Sequence, residues 1–267
     1  MKKYLSFFRV RFSMGIQYRA AAIAGVVTQF LWGGMELLAY WAFYQAQPEA
    51  FPMTYSATAC YVWLNQALFA LFTAWVMESE IFDSIMNGNI AYELCRPIHI
   101  YDMWFARSAA NRFAKATLRC FPILILAALL PKPYGLSAPA SFGCFALFFI
   151  TLTLGFFVTV AFTMLIYVAT CYTISPLGLK VMISSTVELF AGSVIPLPFF
   201  PYKIQRILEL LPFASMQNVP FRIYSGSMSS GEMIQAIILQ VFWLVVLIVI
   251  GRSLSIHEET KVSVQGG

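Results

Sequence analysis

Charge is the scarcest thing in this sequence. From Pro133 to Leu179 there is not one Asp, Glu, Lys or Arg, and over all 267 residues these four make up 11%. A soluble domain carries about 25%. A chain this poor in charge cannot cover a water-facing surface, which excludes an ordinary soluble protein. The uncharged run is longer than one membrane crossing of about 20 residues. It must hold one crossing plus flanking apolar loop or the start of another.

Catalytic motifs are missing too. There is no GxxxxGK[ST] phosphate loop, no HExxH and no GxSxG, so the chain lacks the phosphate-loop means of binding ATP. No paired-carboxylate or Ser/His/Asp site is suggested, and we expect no catalytic residue, bound cofactor or metal in this chain. The five cysteines, Cys60, Cys95, Cys120, Cys144 and Cys171, form no CxxC pair and read as small apolar filler. His99 and His257 are isolated. Arg9, Arg11 and Arg19 interrupt what would be the core of a cleavable signal peptide, so the first crossing is expected to act as its own insertion signal. The net charge of +5 does not point to nucleic acid, because the basic residues flank apolar segments.

Apolar and aromatic residues are abundant: 60% hydrophobic, with 25 Phe, 13 Tyr and 6 Trp, which suits lipid-facing surfaces and interfacial belts. The expected fold is an all-α integral membrane protein with about six transmembrane helices and the lipid bilayer as partner. Residues 1–19 begin with an amphipathic helix, Leu5, Phe8, Phe12 and Ile16 on one stripe and Arg9, Ser13 and Gln17 off it, expected at the headgroups. The crossings are expected near 20–44, 55–77, 109–130, 141–170, 179–195 and 233–251. The third works only if Arg112, Lys115 and Arg119, on one helical face, can snorkel to the headgroups. Between the second and third lies the main polar segment, 78–107, with a turn at Asn87-Gly88-Asn89 and a break at Arg96-Pro97. Residues 173–178 read as a brief loop containing Ser175-Pro176. Residues 196–232 form a broken segment: Pro196, Pro198 and Pro201 interrupt the chain, a short amphipathic helix carries Ile204, Ile207, Leu208 and Leu211, and Pro212 ends it. Ser229 and Glu232 make a capping box that opens the last crossing. No soluble domain appears, so 1–267 reads as one membrane domain.

Six crossings put both termini on one side. Of the 17 Lys and Arg, Lys132, Lys203, Arg206 and Arg222 fall on the other, which leaves thirteen, including Arg96 and Lys261, on the side of the termini. The positive-inside rule then makes both termini and 78–107 cytoplasmic and turns Pro196–Pro212 outward. Two acids fall inside crossings, Glu36 and Glu188, each at a cost of about 2.5–3.5 kcal/mol on insertion scales. A polar substrate path would explain them, and so would a carboxylate protonated or bonded to a neighbouring helix. Ala21 and Gly25 make a small-xxx-small pair that permits close helix contact.

The string Phe190-Ala191-Gly192-Ser193-Val194-Ile195-Pro196-Leu197-Pro198-Phe199-Phe200-Pro201 is followed by Leu211-Pro212-Phe213, then Pro220 and Tyr224-Ser225-Gly226. This resembles the signature of permease subunits of the ABC-2-type exporter family. Gly88-Asn89-Ile90-Ala91-Tyr92-Glu93-Leu94-Cys95-Arg96-Pro97 is similar to that family's loop after the second crossing. The resemblance implies a single permease domain of an ATP-driven exporter in the bacterial cytoplasmic (inner) membrane, with the N-terminal helix at the cytoplasmic face. It implies a separate cytoplasmic ATPase subunit that binds ATP and Mg, and a second permease subunit, identical or different. It puts the ATPase-coupling role on Asn87, Gly88, Glu93, Arg96, Pro97 and Asp102, and an outer gate of re-entrant helices on Gly192, Pro196, Pro198, Pro201 and Pro212. It says nothing of the substrate, and drugs, organic cations, lipids, glycans and peptides stay open. It adds nothing for Glu36 and Glu188. The alternative is a secondary transporter or channel using those two acids, although such folds often pair broken helices in repeats and only one broken segment is seen here.

Overall fold

The computed structural model describes residues 2–17, 19–94, 98–139, 141–173 and 176–259, and the regular structure among them is wholly helical. Cys95, Arg96, Pro97, Ser175 and Lys261 lie outside the described residues. Among the described residues three helices are long and apolar enough to cross a membrane: α2 (Arg19–Ala46), α7 (Phe142–Thr170) and α11 (Ser230–Glu259). They carry the lipid-compatible surface. Ile23, Val27 and Leu31 on α2, Phe149 and Ile150 on α7, and Ile238, Val245 and Val249 on α11 are all exposed. The capping box forms as its spacing predicts. Ser229 N–H donates to Glu232 Oε2 at 2.9 Å and Glu232 N–H to Ser229 Oγ at 3.4 Å, satisfying free donors where α11 begins.

Of residues 55–77, expected as a second crossing, 73–77 are not helical and the rest form α3 (Tyr55–Phe72). It opens on Thr54, whose hydroxyl accepts from Ala57 N–H at 3.2 Å. Almost all of α3 is buried, including Asn65 and Gln66. It is the central helix, with α2, α7, α6 (Ile100–Leu129) and α10 (Asn218–Tyr224) packed around it. A helix enclosed by others need not be apolar on every face, because its polar side chains meet protein.

Residues Lys2–Ile16 form a helix, α1, lying along α6. A Cβ on Gly15 would come within 2.6 Å of Ala114 Cβ, so the backbones approach closely there. Phe8 and Phe12 stack at 6.1 Å and both meet Phe113. Arg9, Ser13 and Gln17 are exposed, but so is Leu5 of the expected apolar stripe.

The segment 78–107 is largely helical, comprising α4 (Ser79–Met86), α5 (Ile90–Leu94) and the first turns of α6. The turn between α4 and α5 falls on Asn87-Gly88-Asn89, where Gly88 takes φ +71°. α6 continues through Pro122 to Leu129, so the residues expected as a third crossing belong to one unbroken helix with the end of the polar segment.

The snorkelling expected of Arg112 does not occur. Its side chain is fully buried. It donates to the carbonyl oxygens of Leu71 (3.2 Å) and Thr73 (2.7 Å) and to Thr163 Oγ1 (3.0 Å). Leu71 and Thr73 lie where α3 stops, and the last carbonyls of a helix have no partner within it. The guanidinium meets them from inside the bundle with charge-assisted hydrogen bonds, and its Nε–H is left buried without a partner. Arg119 does reach outward, but to α2. It donates to Ala21 O at 3.5 Å and occupies the space that a Cβ on Gly25 would need. The Ala21/Gly25 pair thus makes room for an arginine.

The broken segment follows α8 (Pro176–Phe190) and contains α9 (Tyr202–Leu210) and α10. On α9's expected apolar stripe Leu208 is buried and Leu211, just past its end, is half-buried, while Ile204 and Ile207 face outward. α10 and the turns before it are buried against α7 and α3. Gly155 of α7 has no room for a side chain, since a Cβ would run into the Met216 carbonyl. Gln240 of α11 donates to Thr151 O (3.0 Å) and Ser215 O (2.9 Å), tying three segments together.

Candidate functional site

Glu36 and Glu188, far apart in sequence, line one cavity of about 520 Å³. Its walls are α2 (Trp32, Met35, Glu36) and the end of α8 with Ser193 and Val194, and its floor is α3 (Asn65, Gln66, Phe69). The helical period creates this arrangement on α2, since Trp32, Met35, Glu36 and Ala39 fall at i, i+3, i+4 and i+7. A second cavity of about 900 Å³ shares Glu36, Ala39 and Val194 and continues to Pro198, Phe199 and Pro201. The two together form a cleft from the carboxylates to the proline-broken segment.

The carboxylates have different surroundings. Glu36 Oε2 accepts from Gln66 Nε2 at 3.2 Å, and no described Lys or Arg makes an ion pair with it. Glu188 Oε1 accepts from Thr73 Oγ1 at 2.5 Å and from Ala74 N–H at 3.2 Å. Thr73 is also the residue whose carbonyl Arg112 holds. Residues 73–78 are not helical, and their polar groups are met from three directions. Ser184 donates to Ala74 O at 3.3 Å, the Tyr167 hydroxyl accepts from Glu78 N–H at 2.7 Å, and Arg107 donates to Glu78 at 3.1 Å and pairs with Glu80. One short stretch of backbone therefore joins α4 to the floor of the cleft.

Of the residues expected to couple to an ATPase, those described gather at one end of the molecule. Asn87 caps α4, its N–H donating to Asp83 O. Glu93 of α5 accepts from Trp104 Nε1 at 2.6 Å. Asp102, in the first turn of α6, accepts from the Tyr4 hydroxyl at 3.2 Å and from Arg252 at 3.4 Å. α1, α4, the start of α6 and the last turns of α11 thus meet there. Arg96 and Pro97 lie outside the described residues.

The residues expected at an outer gate gather at the far end of α6, about 45 Å along a helix of this length. Gly192 takes φ +79°, which only glycine adopts easily, and its carbonyl accepts from the Tyr61 hydroxyl at 2.9 Å. Pro196 and Pro201 precede the short helical turns at 197–199 and 202–210, and Pro198 lies in the first. Leu197 between them is fully buried, and Pro212 beyond α9 is buried. Phe199 packs on Phe51 (4.9 Å) and Tyr40 (5.1 Å), tying this segment to the loop before α3 and to α2.

Asn65 and Gln66 were not among the expected site residues, although a polar pair within an apolar crossing was visible. Thr73, Arg107 and Tyr167 were missed for another reason: their partners lie on other helices. Among the described residues no group of His, Cys, Asp or Glu could hold a metal ion, and Cys60, Cys120, Cys144 and Cys171 are free thiols.

A search of curated proteins found nothing that matches the chain. The family described as "ABC-2 family transporter protein" matches residues 30–255, from within α2 to within α11. That match spans the cleft, the α4–α5 segment and the proline-broken segment together, and the chain belongs to the ABC-2 transporter family.

Proposed function

We propose that the chain is the permease subunit of an ATP-driven exporter, that α4 and α5 dock on a separate cytoplasmic ATPase subunit, and that the cleft around Glu36 and Glu188 passes an amphipathic or hydrophobic substrate. The observation that carries this reading is the 73–78 connection. It leads straight into α4, and its Thr73 and Ala74 hold Glu188 in the cleft. A push on α4 would be felt at that carboxylate within a few residues. The ATPase binds ATP and Mg, and this chain supplies the path. Two permeases, identical or different, and two ATPases make the working unit.

On this reading α2, α3, α6, α7, α8 and α11 are the six crossings. α3, at about 27 Å, falls slightly short of a core of about 30 Å but is shielded by its neighbours. α8 is shorter still, and the non-helical residues after it complete the passage. Such backbone is tolerated at membrane depth only where protein satisfies it, and here Tyr61 holds Gly192 O and Asn65 holds Ser193 O. The thirteen-to-four split of basic residues puts both termini and α4–α5 in the cytoplasm, with α1 at the headgroups. Asn87, Gly88, Glu93, Arg96, Pro97 and Asp102 then serve coupling. Gly192, Pro196, Pro198, Pro201 and Pro212 close the outer end. The membrane is the bacterial inner membrane.

The test is co-purification with an ATPase subunit, followed by Arg96→Glu in the complex. ATP hydrolysis should persist while transport falls, with an unchanged elution profile. Normal transport by that variant, or no associated ATPase, would sink the reading. The meeting of both acids in one cleft would also suit an ion-coupled carrier. Transport driven by an ion gradient without ATP would favour that alternative.

A further inference from the structure

We infer that the cleft between α2 and α8 binds the protonated amine of an amphipathic molecule, with Glu36 and Glu188 facing the ammonium. A volume of about 520 Å³ lies within the range of about 300–1,000 Å³ usual for small-molecule sites. The charged side chains that line it are the two carboxylates. Glu36 takes one hydrogen bond, from the Gln66 amide. Among the described residues no Lys or Arg lines the cavity.

An anion would meet two carboxylates here, and a neutral polar molecule would leave Glu36, which has no ion-pair partner among the described residues, without a counter-charge. A cation supplies that counter-charge, and an N–H-bearing cation also donates charge-assisted hydrogen bonds to the carboxylate oxygens. Trp32 and Phe69 offer aromatic faces to the same charge. The larger cavity that shares Glu36 and runs to Phe199 and Pro201 has room for an apolar tail. The site therefore discriminates in order: a primary ammonium before a quaternary one, which has no N–H, and both before an alcohol. That the bound amine is cargo rests on the permease reading; that it binds does not.

The test uses the full chain in phosphatidylcholine nanodiscs and three probes with the same tail: dodecylamine, dodecyltrimethylammonium and dodecanol. Binding is read after subtracting partition into empty discs. Dodecylamine should bind saturably and at least tenfold tighter than dodecanol, with the quaternary probe between. Glu36→Gln should weaken dodecylamine at least tenfold and leave dodecanol unchanged, with Glu36→Asp restoring part of the loss. Equal affinity for amine and alcohol, or full affinity in a folded Glu36→Gln, overturns the inference. Should that variant fail to fold, the wild-type ratio still decides. Adding phosphatidylethanolamine separates two sources of the amine: competition assigns it to a lipid headgroup, its absence to a soluble amphiphile, and either keeps the site an amine site. Saturable amine binding with no ATP-driven movement of amine would overturn the export reading alone. ATP-driven transport by a chain without amine preference would overturn this inference alone.

Discussion

Arg112 and Glu36 both place a formal charge inside helices of the membrane bundle, yet their surroundings are opposite. Arg112 is fully buried and donates to two backbone carbonyls and a threonine hydroxyl. Glu36 lines an open cleft with one amide donor, from Gln66. The first charge closes a gap that the fold itself creates, at the broken end of α3. The second closes none. A buried charge answered by backbone is structural by this criterion, and a charge left facing a cavity is available to a ligand. Glu188 stands between them, since it lines the cleft and also holds Thr73 and Ala74.

Substitutions can break that comparison, and the largest effect is expected at Arg112. Arg112→Met strands the Leu71 and Thr73 carbonyls and removes the cation nearest the Glu188 network. Breaking a buried charged network by removing one partner costs about 3–5 kcal/mol. The expected outcome is little folded protein, read as loss of a monodisperse peak and of cooperative melting. Arg112→Lys should recover part of it, because the charge stays while the fork is lost.

A smaller loss is expected at Gly155, where a methyl group collides with the Met216 carbonyl and pushes α7 off the turn before α10. Gly155→Ala should cost about 1–3 kcal/mol, the range for overpacking. Gly34, with open space around its Cβ position, is the control. There an alanine should stabilise the helix by up to about 1 kcal/mol. Thermal melts of both variants in the same detergent check the pair.

Glu188→Gln should fall next. Glutamine can still accept from Thr73 and Ala74, but a charged acceptor becomes a neutral one. That difference is about 1 kcal/mol. A loss as large as that of Arg112→Met would mean that Glu188 is as structural as the arginine, and the gradation from Arg112 to Glu36 would fail.

Much of the helix order was legible because it rests on local chemistry. The apolar runs gave α2, α7 and α11, the Asn87-Gly88-Asn89 turn separates α4 from α5, and Ser229 with Glu232 opens α11. The tertiary features were less legible. The spacing of Arg112, Lys115 and Arg119 sets them on one face of a helix, but spacing does not say whether that face looks toward headgroups or into the bundle. Arg112 turns inward because α3 ends beside it, a fact of packing. α10 was missed because its Asn218-Val219-Pro220 start reads as a break, whereas a proline in the first turn of a helix is well tolerated. Of the cleft, Glu36 and Glu188 could be singled out one by one by their cost in a membrane. Their meeting over Asn65 depends on α3 lying between α2 and α8.

The smallest expected change in stability belongs to Glu36→Gln, which loses a charge but can keep the contact with Gln66. Its melting point should match the wild type within about 0.5 kcal/mol, as for sites outside the packed core. Its transport should not. The most direct test of the account is ATP-dependent uptake of a fluorescent lipophilic amine into inside-out vesicles carrying the chain with its ATPase, measured beside the melting curve. The account expects Glu36→Gln to lose at least tenfold in uptake at unchanged stability. Unchanged uptake, or a loss of uptake that only follows a loss of stability, would contradict it.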